Sequence, residues 1–274
     1  MRAGNPLQGP GPILFGILNV TPDSFSDGGD FFAANSAVAQ AGKMLDEGAR
    51  IIDVGGESTR PGSDPVSPDE ELRRVIPVIR GILESRPEAV VSIDTYRAST
   101  AEAALDAGAL IVNDITALDD PRMVSLVSEG GASVVLMHML GEPKSMQRNP
   151  HYEDVIREVR DFLADRAERA VAAGVAEKNV ILDPGIGFGK TLRHNLELLN
   201  NLDAFVQLGY PVLVGASRKS FLGKITGSGE AEDRLFGTVA TSVMAYERGA
   251  RFFRVHDVRA NKEALEVAAA VRRA

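Results

Sequence analysis

A short apolar run rich in Val and Ile occurs eight times along the 274 residues, and each run stops at a polar or small residue before a helix-like stretch begins. The eight endings are Leu18 before Asn19, Ile52 before Asp53, Ile93 before Asp94, Val112 before Asn113, Met137 before His138, Leu182 before Asp183, Val214 before Gly215, and Phe253 before Arg254. Strands that alternate with helices predict a parallel sheet buried on both faces. Eight units without a second domain favour an α/β fold made of a single (β/α)8 TIM barrel over an open, doubly wound sheet.

The composition indicates one globular domain. A hydrophobic content of 44% and a charged content of 25% are ordinary for a folded protein. We assign residues 13–274 to the barrel, and residues 1–12, which are rich in Gly and Pro, to an N-terminal tail or a cap under the barrel floor. The net charge of −8 argues against a nucleic-acid partner, because binding a phosphate backbone needs a basic face.

The sequence carries no signal for a membrane or for export. Its apolar runs are shorter than the ~20 residues of a bilayer-spanning helix, and its first residues lack the apolar centre of a signal peptide. The lack of cysteine excludes disulfides and Cys-type zinc sites and is compatible with the reducing cytoplasm, where we expect the protein. The four histidines show no metal-binding spacing.

Several helix boundaries can be predicted. Three segments have the form of N-terminal caps: Ser67-Pro68-Asp69-Glu70, Ser99 with Glu102, and Asp120-Pro121. Four glycines stand just ahead of an apolar run, where helices commonly end: Gly48, Gly108, Gly174 and Gly249.

Two connections on the predicted catalytic rim are long. They run from Thr21 to about Ala34 after the first strand and from Gly55 to about Val66 after the second, whereas such loops usually have roughly 2–6 residues. Long rim loops commonly carry function, and we expect the first to cover the site once substrate is bound.

Acidic and amide side chains follow four of the strands. A single one, among Asp53, Asp94, Asn113 and Asp183, is as readily explained as a helix or turn cap. Strand ends of a barrel surround one pit, however, so the four are expected to converge. Three carboxylates there indicate a ligand rich in N–H donors, such as an aminopyrimidine-type heterocycle, or one that develops positive charge.

Basic side chains form a second set. Arg254 and His256 lie on the same side of the last strand, and Arg60 and the segment Ser217–Ser220 join them on the predicted rim. The loops after strands seven and eight are the usual phosphate site of barrels, so this set predicts a phosphate or diphosphate site. Arg218 alone could equally be a solvated surface charge. We expect the acids on one wall of the pit and the bases on another.

The segment Asp183–Thr191 is similar to a nucleotide P-loop, but Pro184 stands where that motif needs glycine. Its glycines are better explained by a close backbone approach to a flat ligand, with Asp183 accepting hydrogen bonds from that ligand. His138 has no partner within sequence reach and is expected to be a core histidine.

These segments resemble the dihydropteroate synthases, folate-pathway enzymes that join a pterin to 4-aminobenzoate. The likeness runs from Ile13 to Val258 and is carried by Leu18–Gly29, Asp53–Gly62, Ser92–Thr95, Asn113–Ile115, Asp183–Lys190, Ser217–Ser220 and Arg254–Asp257. The resemblance implies a transferase that condenses 6-hydroxymethyl-7,8-dihydropterin diphosphate with 4-aminobenzoate to 7,8-dihydropteroate and diphosphate. It also implies Mg2+ as cofactor and a homodimer, with these small molecules as the partners.

The resemblance further implies roles for residues at matching positions. The implied pterin site consists of Asp94, Asn113, Ile115, Met137, Asp183, Gly187, Phe188 and Lys219. The implied diphosphate site consists of Asn19, Asp53, Arg60, Arg254 and His256, with Asn19 also on Mg2+. The implied aminobenzoate pocket consists of Phe25, Thr59, Arg60, Pro61, Phe188, Lys219 and Ser220. The implied catalytic residues are Asp94, Asn113, Asp183, Lys219 and Asp27.

The chemistry suits a dissociative, SN1-like substitution. Loss of diphosphate leaves a cation delocalised into the pterin, which nearby carboxylates stabilise, while Arg and His stabilise the departing anion. The attacking aniline nitrogen is neutral at pH 7 and needs no strong base.

Two other functions remain open at this stage. One is a corrinoid-dependent methyltransferase acting on methyltetrahydrofolate, which needs no diphosphate clamp, so Arg60, Arg254 and His256 argue against it. The other is a noncatalytic pterin-binding paralogue, against which the loop residues Phe25, Asp27, Thr59 and Arg60 argue.

Overall fold

The structure is a computed structural model that describes residues 7, 9, 11–21, 29–58 and 62–274, with only the backbone described for 29–32. Eight strands are present in this part of the chain: β1 (Ile13–Asn19), β2 (Ile51–Gly55), β3 (Val90–Asp94), β4 (Ile111–Asp114), β5 (Ser133–Met137), β6 (Val180–Asp183), β7 (Leu213–Val214) and β8 (Phe252–Val255). The helices are α1 (Gly29–Glu47), α2 (Pro68–Ser85), α3 (Ala98–Asp106), α4 (Pro121–Gly130), α5 (Val155–Ala172), α6 (Leu192–Asn200), α7 (Asp203–Val206), α8 (Ser220–Thr226), α9 (Leu235–Glu247) and α10 (Val258–Arg273).

The strands form one parallel barrel, which confirms the predicted fold. Their order in the sheet is β6-β5-β4-β3-β2-β1-β8-β7, and each neighbouring pair is parallel. Closure comes at the short strand β7, where Leu182 bridges to Val212 and its N–H donates to the Pro211 carbonyl at 3.0 Å. All eight strand ends therefore surround one pit, as a TIM barrel requires.

The barrel interior is layered, with an apolar floor beneath a polar upper layer. A buried cluster fills the floor with one or two side chains from seven of the strands: Ile13, Phe15, Ile51, Ile111, Val135, Ile181, Leu213 and Phe252, together with Leu7. Side chains two residues apart on a strand share a face, so the position two residues after each floor residue also points inward, one layer higher. Those positions include Asp53, Asn113, Asp183 and Arg254.

A larger apolar cluster lies between the outside of the barrel and the helices. Outward strand residues such as Val54, Ile93 and Leu182 are fully buried in it. The parallel strands are thus covered on both faces, as their apolar runs predict. Among the described helices, none has both the length and the hydropathy needed to cross a bilayer.

Most predicted helix boundaries are confirmed, and one is wrong. Ser67 accepts from the Glu70 N–H, and Asp120 accepts from the Arg122 N–H. The four glycines at the predicted ends all have φ between 91° and 112°. Ser99, however, lies inside α3, whose N-cap is Arg97 without a side-chain cap bond.

The rim connections differ in part from the prediction. Helix α1 begins at Gly29 rather than near Ala34, which shortens the first connection. The second runs through residues 56–67, close to the predicted bounds. A third connection, residues 138–154, is longer than either and was not predicted, although Gly141, Pro143 and Asn149-Pro150 are typical of a loop.

Candidate active site

A cavity of about 310 Å³ opens at the C-terminal ends of the strands. Its lining includes Ile17, Asn19, Glu57, Ser58, Asp94, Met146, Gln147, Gly187, Phe188, Lys190, Gly215, Ser217, Arg218, Lys219, Ser220, Lys224, Arg234, Arg254 and His256. Five further residues are buried around or beneath it: Asp53 on β2, Asn113 on β4, Ile115 just after β4, Met137 on β5 and Asp183 on β6. Its size lies near the lower end of the range for small-molecule sites.

A wider groove lies on the outside, between α1, α2 and α10. Its charged residues pair with one another, as in the contacts Arg86–Asp46 and Arg259–Glu263. The barrel cavity, with its buried ionisable groups, is therefore the stronger candidate site.

Arg254 joins two carboxylates inside the cavity. Its Nε donates to Asp53 Oδ2 at 2.5 Å, and its Nη2 donates to Asp94 Oδ2 at 2.6 Å. Asn113 Nδ2 also donates to Asp53 Oδ2, at 3.1 Å, so residues from β2, β3, β4 and β8 form one network. Acids and bases are interleaved here, and the predicted separation onto two walls is wrong, because buried opposite charges minimise their energy by pairing.

Two further features of this network concern its acids. Asp53 lies in the middle of β2 rather than at its end as predicted, and its second oxygen, Oδ1, has no hydrogen-bond partner among the described residues. Burial raises the pKa of Asp94 to about 7, with a further contribution from the Asp53 carboxylate, while the Arg254 guanidinium opposes the rise. Burial disfavours the charge on Arg254, but Asp53 and Asp94 outweigh it and raise the Arg254 pKa.

Asp183 lies at the end of β6 and shapes the connection that follows. Its Oδ1 accepts the Gly185 N–H at 2.7 Å. Burial raises its pKa, whereas that hydrogen bond and the positive charge of Lys219 act in the opposite direction. Met137 is its register partner on β5.

The connection after β6 packs tightly because of its glycines. Gly185, Gly187 and Gly189 all have positive φ. A Cβ on Gly185 would lie 1.9 Å from the His138 carbonyl oxygen, and one on Gly187 would lie 2.7 Å from Lys219 Cδ. The backbone therefore passes closer to its protein neighbours than any side chain would allow, whereas the predicted approach to a flat ligand stays a prediction.

Phe188 and Lys219 form a flat cationic platform at the cavity wall. Lys219 Nζ lies 4.0 Å from the centre of the Phe188 ring and also donates to the Ile186 carbonyl. Burial lowers the pKa of Lys219 to about 7, although the Asp183 carboxylate favours its charged form. Gln147, on the third connection, donates to the Gly187 carbonyl at 2.6 Å and ties that connection to the platform.

Lys190 does not act as a P-loop lysine. Its ammonium is buried, where it contacts His138 Nδ1 at 3.0 Å and the Phe188 carbonyl at 2.9 Å. Burial and the neighbouring Lys190 lower the pKa of His138 to about 3. His138 is thus a satisfied core histidine, as predicted.

The basic segment after β7 is held by ion pairs. Arg218 forms two hydrogen bonds to the Asp257 carboxylate, at 2.9 and 2.7 Å, and it adopts φ of +57°. His256 Nδ1 lies 3.0 Å from Ser217 Oγ, which also accepts the His256 N–H. Arg218 is thus neither a solvated charge nor a free anion-binding group: it connects the ends of β7 and β8.

The predicted site residues fall into two groups. Those within the described part of the chain converge on the cavity or on the layer around it. Phe25, Asp27, Thr59, Arg60 and Pro61 lie outside the described residues. Glu57, Met146, Gln147 and Lys224 line the cavity without having been predicted. Glu57 could have been suspected from its place beside Ser58 and Thr59, whereas the third connection gives no comparable signal.

Comparison with known proteins adds an independent observation. The family model of pterin binding enzymes matches residues 15–256. A dihydropteroate synthase of Haemophilus influenzae is 45% identical over 256 residues, covering 93% of this chain and 92% of that protein. One from Escherichia coli is 47% identical, covering 93% and 90%. This chain belongs to the dihydropteroate synthase family.

The solved structures agree with this membership. The dihydropteroate synthase of Xanthomonas albilineans, solved with 4-aminobenzoic acid, superposes with a TM-score of 0.91 at 44% identity, covering 96% of this chain and 94% of that one. Membership of this transferase family confirms the function and the enzyme class predicted from the sequence.

Proposed function

We propose that this chain uses the barrel cavity to condense 6-hydroxymethyl-7,8-dihydropterin diphosphate with 4-aminobenzoate. The observation that carries the proposal is the network in which Arg254 joins Asp53 and Asp94 in the same cavity that Lys219 and Phe188 line. It puts acceptors for ring N–H groups, a cation for an anion and a flat platform within one cavity.

The acids would hold the pterin and stabilise the charge that develops on it. Asp94, Asn113 and Asp183 supply acceptors at the polar layer, where the low dielectric strengthens each bond to a ring N–H. Ile115, Met137, Gly187, Phe188 and Lys219 complete the proposed pterin site. When the C–O bond breaks, the pterin methylene becomes part of a delocalised cation, and the neighbouring carboxylates lower its energy.

The bases would hold the leaving group. The guanidinium of Arg254 has five N–H donors, and the two carboxylates engage Nε and Nη2, so the same side chain can also donate to diphosphate oxygens. His256 and Asn19 line the same cavity and would share this role. Stabilisation of both the pterin cation and the departing diphosphate favours charge separation. This supports a dissociative substitution with the neutral aniline nitrogen as nucleophile.

The proposed Mg2+ would arrive with the diphosphate. Within the described residues, no cluster of three or more His, Cys, Asp or Glu is arranged to hold a metal. Mg2+ often binds through one or two protein oxygens and substrate phosphates, and the amide oxygen of Asn19, close to Asp94 beside Gly55, fits that need. When bound, the ion neutralises part of the diphosphate charge and improves the leaving group.

We also propose a homodimer in the cytoplasm. An apolar groove on the outer face between α6, α8 and α9 is lined by Leu196, Ile225 and Met244, all of them exposed. Phe236, at the start of α9, is 84% exposed. Apolar surface of this kind marks protein contacts, and a second copy of the chain offers a self-complementary partner.

One assay tests the proposed reaction. Purified protein is mixed with Mg2+, the pterin diphosphate and 4-aminobenzoate, and diphosphate and dihydropteroate are measured. Both products are expected, with much less when Mg2+ is removed or when Arg254 is changed to Ala. Pterin binding without either product would instead identify a noncatalytic pterin-binding protein.

A further inference from the structure

The carboxylate of Glu57 lies where the second connection, residues 56–67, begins and ends. Glu57 is buried, two residues beyond the end of β2. Its Oε2 accepts the Val66 N–H at 3.0 Å, although the two residues are nine positions apart. One carboxylate thus fastens the two ends of the connection to each other.

Arg97, the residue before α3, holds this carboxylate from behind. Its Nη2 donates to Glu57 Oε2 at 2.7 Å and to the Val66 carbonyl at 2.9 Å. Its Nη1 donates to Glu71 Oε2 on α2 at 2.9 Å. Tyr96 OH completes the cluster by donating to Glu57 Oε1 at 3.0 Å. The guanidinium therefore contacts both ends of the second connection.

Arg97 forms ion pairs with the carboxylates of both Glu57 and Glu71 in this cluster. Burial disfavours the charged guanidinium, but the hydrogen bond to Glu57 and the charge of Glu71 raise the pKa of Arg97. A buried ion pair adds little net stability compared with apolar packing, because both ions must be desolvated. The contribution of this ion pair is instead geometric, because several hydrogen bonds to shared acceptors hold the two side chains in few arrangements.

Two contacts that join the second connection to residues 143 and 144 are weaker. The Gly62 N–H donates to the Pro143 carbonyl at 3.4 Å, near the limit for a hydrogen bond. Lys144 pairs with Asp64, but both side chains are largely exposed, and exposed pairs contribute little. The Glu57–Arg97 pair is thus the stronger of these described anchors.

We infer that Glu57 is a positioning residue which, through Arg97, fixes the two described ends of the second connection to each other and so sets the affinity for 4-aminobenzoate. The inference rests on the proposed function, in which 4-aminobenzoate binds in the cavity that Glu57 and Ser58 line. Glu57 and Ser58 line the cavity, whereas Arg97 is not among the described residues that do. A change at Arg97 therefore acts on substrate only through the connection. Because ordering a loop reduces affinity, an anchored loop binds more tightly than a free one.

Steady-state kinetics of three variants test this. Glu57→Gln keeps the side chain's size and removes its charge, and the KM for 4-aminobenzoate is expected to rise about tenfold, with less than about a twofold change in the KM for the pterin diphosphate. Arg97→Lys keeps the charge but cannot reach every acceptor, and it should give the same pattern. Glu71→Gln is the matched control: it removes the other carboxylate on Arg97 and leaves the Glu57–Val66 contact in place, so neither KM should change.

Some outcomes would overturn the inference. Equal effects of Glu57→Gln and Glu71→Gln, or a lowered Tm in Glu57→Gln with an unchanged KM for 4-aminobenzoate, would show that the cluster only stabilises the fold. A rise at Glu57→Gln without one at Arg97→Lys would show that Glu57 does not act through Arg97.

Hydrogen exchange gives a readout independent of activity. In Glu57→Gln, the backbone amides of the second connection, Val66 above all, should exchange faster than in the parent chain, and in Glu71→Gln they should not. Unchanged exchange in Glu57→Gln would refute the anchor even if the enzyme is active. A parent chain that forms no dihydropteroate would count against the proposed function, and the exchange result would still decide whether Glu57 anchors the connection.

Discussion

Asp94 is one of two described cavity residues whose pKa lies at about 7, and Lys219 is the other. The Asp94 carboxyl is buried beside Asp53, and both share the guanidinium of Arg254. Two acids that share one cation in a low dielectric cannot both be ionised without cost, so one of them retains its proton to a higher pH. A pKa of about 7 for Asp94 places this change within the working range of an enzyme.

Pterin binding should therefore strengthen as the pH rises through about 7. Below that value Asp94 is protonated and loses acceptor capacity, so the Kd for a pterin should rise by up to about tenfold per pH unit. Calorimetric titrations between about pH 5.5 and about pH 8.5 measure this. Asp94→Asn is the control, since it should bind weakly at every pH. The same pH dependence in that variant would assign it to another group.

Asp183 should contribute to pterin affinity through its charge. Asp183→Asn keeps an oxygen for the Gly185 N–H and removes the charge, so the loop should survive while bonds to the ligand weaken. The expected loss in pterin binding is about 1–2 kcal/mol, since a hydrogen bond to a charged group contributes about 1 kcal/mol more than a neutral one. Calorimetry at pH 8 with a pterin measures it, and an affinity equal to that of the parent chain would remove Asp183 from the pterin site.

At the scale of elements, the connections after β6 and β7 hold the platform in place by two different means. After β6, glycines with positive φ let the backbone pack against residues that follow β5. After β7, Arg218 adopts a positive φ that its bidentate pair with Asp257 compensates. The glycines and the Arg218–Asp257 pair both fix the backbone of these connections and not contacts to substrate. That backbone positions Phe188 and Lys219, whose side chains contact each other.

Gly185→Ala should disrupt the first of these connections. The new Cβ would meet the His138 carbonyl oxygen at 1.9 Å in addition to the cost of a positive φ, and we expect a loss of about 3 kcal/mol in the free energy of unfolding. Gly209→Ala is the matched control, with φ of +88° and open space around its Cβ, and it should lose only about 1 kcal/mol. Urea denaturation of both variants measures the difference. Equal losses would mean that strain in φ accounts for the whole effect.

At the scale of the molecule, the sequence predicted the features that follow from the periodicity of its apolar runs. It predicted few of the features that depend on which charged groups pair. Eight apolar runs require eight parallel strands, and closure then brings Asn19, Asp94, Asp183 and His256 to one cavity. Which charges pair could not be predicted, because it depends on distances across the barrel. Arg254 was expected to face the acids and instead bridges two of them.

The other misses have similarly local causes. The spacing of Ser99 and Glu102 fits a cap, but α3 begins one residue before Ser99, so the serine lies within the helix. The sequence predicts a strand end at Asp53 because the apolar run Ile51-Ile52 stops there, but the backbone of β2 continues to pair with β1 through Gly55. Glu57 and Arg97 are 40 residues apart, and only the folded chain shows that they meet.

The apolar groove between α6, α8 and α9 leads to a prediction about assembly. Phe236 is next to Gly237, which lines this groove, and Phe236→Glu should convert the proposed dimer to a monomer, because it would place a charge without a partner in an apolar contact. Sedimentation velocity at micromolar concentration measures the mass, for which a 29.2 kDa species is expected in this variant and twice that mass in the parent chain. Val171→Glu is the control, since Val171 is also exposed but lies on α5, away from the lining of the groove. A parent chain that sediments as a monomer, or a Phe236→Glu variant that stays dimeric, would place the contact elsewhere or remove it.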